Sequence, residues 1–338
     1  MKAAVFRGPR RLLVEEWPAP QPRPGHLVVA VRACGLCGTD HHIYHGQFPA
    51  AAPVVLGHEY AGLVVALGEG VDDLVVGQPV AIDPNIVCHT CRPCRQGRVH
   101  LCENLRALGV NYDGGFAELS LVPRQQAHPF PPGLDWAVAA MAEPLACCLH
   151  GSDLAQVRPG QTVLVIGGGA IGQLHAQLAR LSGASRVIVS DPLPGRRELA
   201  LALGADEALD AETLSTQAVR QALGGGADVV IEAVGSAATA EQSIELVAPG
   251  GTVIWFGVAA PGARSSVSPY DIYRREITVR GSFVNPFTHA RALALLASGR
   301  VQVAPLITRR VGLEALPAVL AAPAAGDVKV VVTAEPRP

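Results

Sequence analysis

Apolar and polar positions follow two different rhythms along this chain. In "TVLVIGGGAIGQLHAQLARLSGASRVIVSD", residues 162 to 191, Val163 to Ile166 form an unbroken apolar run of the length expected for a buried parallel strand. Ile171, Leu174, Leu178 and Leu181 then recur at helical spacing, and Arg186 to Ser190 carry a second apolar run that ends in Asp191. Further runs at Asp228 to Ile231, Thr252 to Phe256 and Ile277 to Val279, separated by helical or glycine-rich stretches, extend one doubly wound parallel sheet that ends near residue 284. Residues 1 to 140 read differently: short strands punctuated by Gly and Pro predict a β-rich region. The last 50 residues return to a mixed pattern that closes on the apolar strand Val328 to Val332. The class is α/β, with a β-rich part and a Rossmann-type part.

Length turns this into a statement about domains. At 338 residues, 49% of them hydrophobic and 17% charged, the chain can bury two cores of ordinary size. A net charge of -2 with scattered basic residues leaves no electrostatic footprint for nucleic acid or anionic lipid, so the expected partner is a small molecule. The start, "MKAAVFRGPRR", lacks the apolar core of a signal peptide, and no stretch approaches 18 uninterrupted apolar residues. The expected compartment is the cytoplasm. Eight cysteines in a reducing compartment point to metal or redox chemistry rather than to disulfides.

Cys88, Cys91, Cys94 and Cys102 stand at spacings x2, x2 and x7 in "CHTCRPCRQGRVHLC", a loop-like span with little to bury. Four thiolates closing a tetrahedral shell around Zn²⁺ would fold such a loop and leave no coordination position for chemistry. An iron–sulfur cluster accepts the same four ligands, but nothing else in the chain suggests electron transfer. His89 and His100 lie in the lobe and default to solvated surface.

After the first strand comes Gly167-x-Gly169-x-x-Gly172: the first glycine permits the tight turn, the second lets backbone approach a pyrophosphate, and the third lets helix and strand pack closely. The diphosphate would rest on the helix N-terminus. Asp191, 19 residues beyond Gly172, is placed to accept from ribose hydroxyls, and its charge opposes a 2'-phosphate. NAD is therefore favoured over NADP, with Arg196 and Arg197 close behind the acid.

A second ligand-rich stretch, "ACGLCGTDHHIYHG", places Cys34 and Cys37 ahead of His41 and His42. Together with "LGHEYAGLVV", the cysteine lobe, "GGFAEL", "EPLACC", "GGGAIG" and "KVVV", it makes the chain resemble the zinc-dependent medium-chain alcohol dehydrogenases over essentially its whole length. "CGTDHHIYHGQFP", "AEPLACC" and "GSFVNPF" look most like the sorbitol/polyol dehydrogenase branch. The resemblance implies a GroES-like catalytic domain at 1–148 and 286–338, with a structural zinc lobe at 86–104. It implies a Rossmann-type NAD-binding domain at 149–285 and an active site in the cleft between the two.

Carried over residue by residue, the resemblance makes Cys37, His58, Glu59 and Glu143 the catalytic zinc ligands, Glu143 binding directly or through water. One thiolate, one imidazole and carboxylates with an open position make a more Lewis-acidic site than four thiolates. Taken alone, Glu59 could be a surface carboxylate and Glu143 a helix N-terminal acid. Thr39 matches the family's relay hydroxyl, His42 the histidine that passes the proton outward, and Asp40 the group orienting His58. Ala170, Ile171, Val234, Val258, Phe283, Asn285 and Arg196 would join the glycines and Asp191 around the dinucleotide. Cys34, Cys147 and Cys148 read as small packed residues, and His41 and His45 as exposed loop histidines.

The implied reaction is NAD-linked oxidation of a secondary alcohol, most of all a polyol to its ketose, by a homo-oligomer, a tetramer ahead of a dimer. Tyr44, Glu143 and Asn285 are candidates to pair with substrate hydroxyls. Animal-type sorbitol dehydrogenases carry Arg-Tyr where this chain has Val284-Asn285. L-threonine 3-dehydrogenase shares "CGTD" and "EPL" and is the rival reading, although no charged set for an amino acid stands out. A diol or simple secondary-alcohol dehydrogenase, and a non-catalytic zinc module, are the remaining alternatives. A zinc-free quinone reductase would lack Cys37, His58 and the lobe.

Overall fold

The computed structural model describes residues 1–212 and 215–334. Two compact units divide the chain: Met1–Ala146 with the return segment that begins at Pro286, and Cys147–Asn285. The first unit opens with β1 (Lys2–Gly8), β2 (Arg11–Glu16), β3 (His26–Gly35), α1 (Gly38–Tyr44), β4 (Val54–Val55), β5 (Glu59–Leu67) and β6 (Pro79–Ile82). It continues through β7 (Asn85–Ile86), α2 (Arg92–Arg95), β8 (Arg106–Ala107), β9 (Leu119–Pro123), β10 (Ala127–Pro129), α3 (Trp136–Ala140) and α4 (Ala142–Ala155). The unit boundary falls inside α4.

The second unit carries β11 (Thr162–Ile166), α5 (Ala170–Leu181), β12 (Arg186–Asp191), α6 (Pro194–Ala202), β13 (Glu207–Asp210), α7 (Thr216–Ala222) and β14 (Ala227–Glu232). α8 (Ala237–Leu246), β15 (Val247–Trp255), α9 (Pro269–Arg274) and β16 (Thr278–Gly281) complete it. The chain then re-enters the first unit with α10 (His289–Ala297), β17 (Ile307–Val311), α11 (Leu316–Ala321) and β18 (Lys329–Thr333).

Strand order in the second unit is β13-β12-β11-β14-β15-β16, every pair parallel, which is the doubly wound arrangement with its switch point between β11 and β14. The apolar runs that predict buried strands are explained by two cores. Val163, Val165, Val187, Val189 and Ile231 pack with Ala176 and Ala179 of α5 on one face, and Leu164, Ile166, Ile188 and Val230 with Ile244 and Leu246 of α8 on the other. One strand escaped the pattern: β13 ("EALD") is polar and half-buried along its length because it is an edge strand.

In the first unit, β3 is the hub of a seven-stranded sheet, ordered β10-β6-β5-β3-β18-β17 with β9 also on β3. β18 comes from the far end of the chain, antiparallel to β3 with Val332 opposite Cys34. This pairing brings Lys329 beside residues 35–59, a juxtaposition that no local pattern announces. Among the described residues no helix is long and apolar enough to cross a membrane.

Candidate functional site

The stretch after β3 is a helix rather than a loop. Cys37 is the N-cap of α1, its backbone N–H donating to Asp40 Oδ2 at 2.9 Å, so the same residue starts the helix and aims its sulfur. His58 and Glu59 arrive from the start of β5, and the ligand atoms of Cys37, His58 and Glu59 lie within 4.8 Å of one another. His58 and Glu59 are buried at 8% and 1% exposure.

Behind them sits Asp40, fully buried, with Oδ1 3.6 Å from His58 Nδ1. Burial works against a charged His58, but the Asp40 carboxylate and the Cys37 sulfur outweigh it and hold the imidazole well above its usual range. Asp40 Oδ1 and His58 Nδ1 are both buried and, at 3.6 Å, too far apart for a hydrogen bond, and neither has another hydrogen-bond partner, while Glu59 Oε2 is ion-paired with Lys329. A buried imidazole and carboxylate beside a half-buried sulfur, collecting negative charge over polar atoms of Asp40 and His58 that make no hydrogen bond, suit a divalent borderline cation such as Zn²⁺.

Glu143 is not in that cluster. It is buried in the first turn of α4, near enough to Lys329 for its charge to act on the ammonium. Lys329 is the residue that sequence reasoning missed: 5% exposed, ion-paired with Glu59, its pKa raised because Glu59 and Cys37 outweigh the cost of burial. A lysine opening the apolar run "KVVV" was the available signal, since lysines are almost never buried unless paired.

Thr39 lies within α1, half-buried, and is not a turn hydroxyl. His42 Nδ1 is 2.8 Å from Gln47 Oε1. His41 corrects the expectation of an exposed loop histidine: it is helical and half-buried against the Leu320 backbone, and burial lowers its pKa. His45 is exposed, edge-on to the half-buried Tyr44 at 5.3 Å. Cys34 and Cys148 are buried and Cys147 is half-buried, and none of the three belongs to either ligand cluster.

In the lobe, the sulfurs of Cys88, Cys91, Cys94 and Cys102 lie within 4.8 Å of one another. Cys102 Sγ is 3.5 Å from Cys88 Sγ and 3.9 Å from Cys91 Sγ. A zinc tetrahedron with bonds of about 2.3 Å has S···S edges of about 3.8 Å, so the four are spaced for a shared ion and not for disulfides. The backbone N–H groups of Cys88 and Asn104 donate to Cys102 Sγ, and that of Cys91 to Cys88 Sγ, as thiolate ligands require. The Thr90 hydroxyl lowers Cys88, whereas burial raises Cys94. His89 is exposed and His100 half-buried, and neither is in the cluster.

The glycine turn of the second unit has the spacing its residues imply. Gly167 takes φ 98°, and a Cβ on Gly172 would collide with the Gly167 carbonyl oxygen. Gly169 is the N-cap of α5, with Ala170 and Ile171 in the first turn. Asp191, at the end of β12, accepts from the Gly168 N–H at 2.7 Å and the Leu193 N–H at 2.8 Å, so it braces the turn. Arg196 Nη1 stands 3.6 Å from that carboxylate, and Arg197 pairs with Asp210 at 3.0 Å. Val234, Val258 and Phe283 are more than half exposed, whereas Asn285 is buried at 2%.

Comparison with known proteins agrees with this arrangement. Residues 23–132 match the family described as alcohol dehydrogenase GroES-like domain, and residues 170–298 that described as zinc-binding dehydrogenase. The chain is 40% identical over 324 residues to D-altritol 5-dehydrogenase of Agrobacterium fabrum, covering 94% of each. It is 35% identical over 301 residues to L-threonine 3-dehydrogenase of Pyrococcus horikoshii, covering 86% of this chain and 85% of the relative. A zinc-binding dehydrogenase of Sinorhizobium meliloti, solved with NADP bound, superposes with a TM-score of 0.96 at 46% identity, covering 98% of this chain and 99% of the other.

Proposed function

The chain belongs to the zinc-dependent medium-chain alcohol dehydrogenase family, and from that premise we propose that it oxidises a secondary hydroxyl of a polyol to the ketose with NAD. The supporting observation is the meeting of Cys37, His58 and Glu59 over the buried Asp40, a ligand set unlike the all-thiolate lobe. When bound, zinc polarises the substrate hydroxyl and the nicotinamide accepts the hydride.

In this reading Cys37 and His58 hold the metal, Glu59 is shared between the metal and Lys329, and Glu143 acts on the same centre from α4. Asp40, 3.6 Å from His58 Nδ1, would orient the imidazole and its tautomer so that the other ring nitrogen is free to ligate a metal. Thr39 takes the hydroxyl proton and His42, held by Gln47, passes it outward. Cys88, Cys91, Cys94 and Cys102 hold a second zinc that folds the lobe. Gly167, Gly169 and Gly172 seat the diphosphate, and Asp191 the adenosine ribose.

The β-rich unit is thus catalytic and the doubly wound unit binds the dinucleotide. Polyol is preferred to threonine because the altritol-oxidising relative is more similar over more of the chain. The assembly we propose is a cytoplasmic homotetramer, for which light scattering would give about 140 kDa, four times 35.1 kDa. A panel of hexitols, pentitols, threonine and simple secondary alcohols, run with NAD and then NADP, tests the reaction. Polyols with NAD should lead, and turnover of threonine alone would refute the substrate class.

A further inference from the structure

Glu232, the last residue of β14, is 1% exposed and has no part in the chemistry above. Its Oε1 accepts from the N–H of Val234, the N–H of Gly235 and the Thr239 hydroxyl, each at 2.8 Å. The backbone oxygen of the same residue accepts from the N–H of Phe256 at 3.0 Å and of Gly257 at 2.9 Å. One residue therefore ties down both loops that leave the C-terminal ends of β14 and β15.

The two loops have no slack between them. A Cβ on Gly257 would fall 2.8 Å from Glu232 Oε2 and overlap the Gly235 nitrogen, and a Cβ on Gly235 would come within 2.6 Å of the Val258 carbonyl oxygen. Gly235 also takes φ 83°, so both positions exclude side chains. The tips of these pinned loops are Val234 and Val258, apolar yet 53% and 58% exposed. Val234 Cγ2 lies 2.8 Å from where a Cβ on Gly167 would sit, which puts this shelf against the glycine turn at the switch point of the sheet.

Two exposed valines on rigid backbone at that place make an apolar wall for a flat ring. We propose that Glu232 is a positioning residue for the dinucleotide: it presets the Val234–Val258 wall, so that binding does not have to order the loops. The proposal rests on the reading that this unit binds NAD, and its energetic content is preorganisation.

The test uses the full chain, with NADH fluorescence titration alongside kcat and KM for NAD. Thr239→Val removes one donor from the hub and should raise the NADH Kd and the NAD KM about three- to tenfold, the equivalent of one hydrogen bond, with less than about a twofold change in kcat. Thr239→Ser should restore both, and Glu232→Ala should exceed tenfold. Should Glu232→Ala not fold, the Thr239 pair decides alone. NADH affinity unchanged in Thr239→Val despite a lowered melting temperature, or a fall in kcat with unchanged KM, would overturn the proposal. Absence of NADH binding by the unsubstituted protein would instead overturn the dinucleotide reading.

Discussion

His175 offers a measurement of what burying an unpaired imidazole costs this protein. It lies inside α5, fully buried, edge-on to Phe256 at 4.6 Å, and neither ring nitrogen has a partner. Burial pushes its pKa down to about 3 from the usual 6.5. A group whose folded pKa is depressed in this way contributes its full stability above the unfolded value. That stability is lost as pH falls from 6.5 toward 3, because only the unfolded chain takes up the proton. Each unit costs about 1.4 kcal/mol, so about 2 kcal/mol is lost between pH 7 and pH 5, and the limit below pH 3 is about 5 kcal/mol.

The perturbation is His175→Leu, which keeps the apolar contact with Phe256 and removes the proton site. Native-state hydrogen exchange of the β11 and β12 amides at pH 7 and 5, corrected for chemical exchange, reads the stability of this unit alone. The wild type should lose about 2 kcal/mol more than the variant across that interval. At pH 7 the variant should be the more stable by about 1 kcal/mol, since two unsatisfied ring nitrogens are gone. Equal losses in the two proteins would show that His175 is solvated or paired, and the reasoning would be wrong.

Three further outcomes follow from the sites. In the metal-free protein Lys329→Met strands Glu59 without a cation, and at about 3 kcal/mol for breaking a buried pair the calorimetric midpoint should fall by at least about 6 °C, most of it recovered in Lys329→Met with Glu59→Gln. Metal analysis should return about two zincs per chain. Cys37→Ser should lose one of them together with NAD reduction, whereas Cys88→Ser should lose the other and open the lobe to trypsin at Arg95 and Arg98. Asp191→Ser should raise the ratio of NADP to NAD kcat/KM by about tenfold or more, as the charge opposing a 2'-phosphate disappears and Arg196 remains 3.6 Å from that position.

Local chemistry made much of this protein legible in the chain. The cysteine lobe and the glycine turn with its acid each lie within some thirty residues and every apolar run of the parallel sheet within ten, and their physics is local: tetrahedral thiolate spacing, steric room for a turn, burial of a strand on both faces. What tertiary structure alone decided is long-range. Whether Glu59 is a surface acid depends on a lysine 270 positions away, brought alongside by the pairing of β18 with β3, and sequence spacing carries no information about strand pairing across such a distance. Likewise α1 is too short and too polar to show helical periodicity, and it forms because Cys37 and Asp40 cap it. Glu232 and His175 are ordinary letters in their strand and helix. They acquire meaning only when one residue holds two loops, one on its carboxylate and the other on its backbone oxygen, and when a helix buried nearly all round leaves an imidazole with no partner.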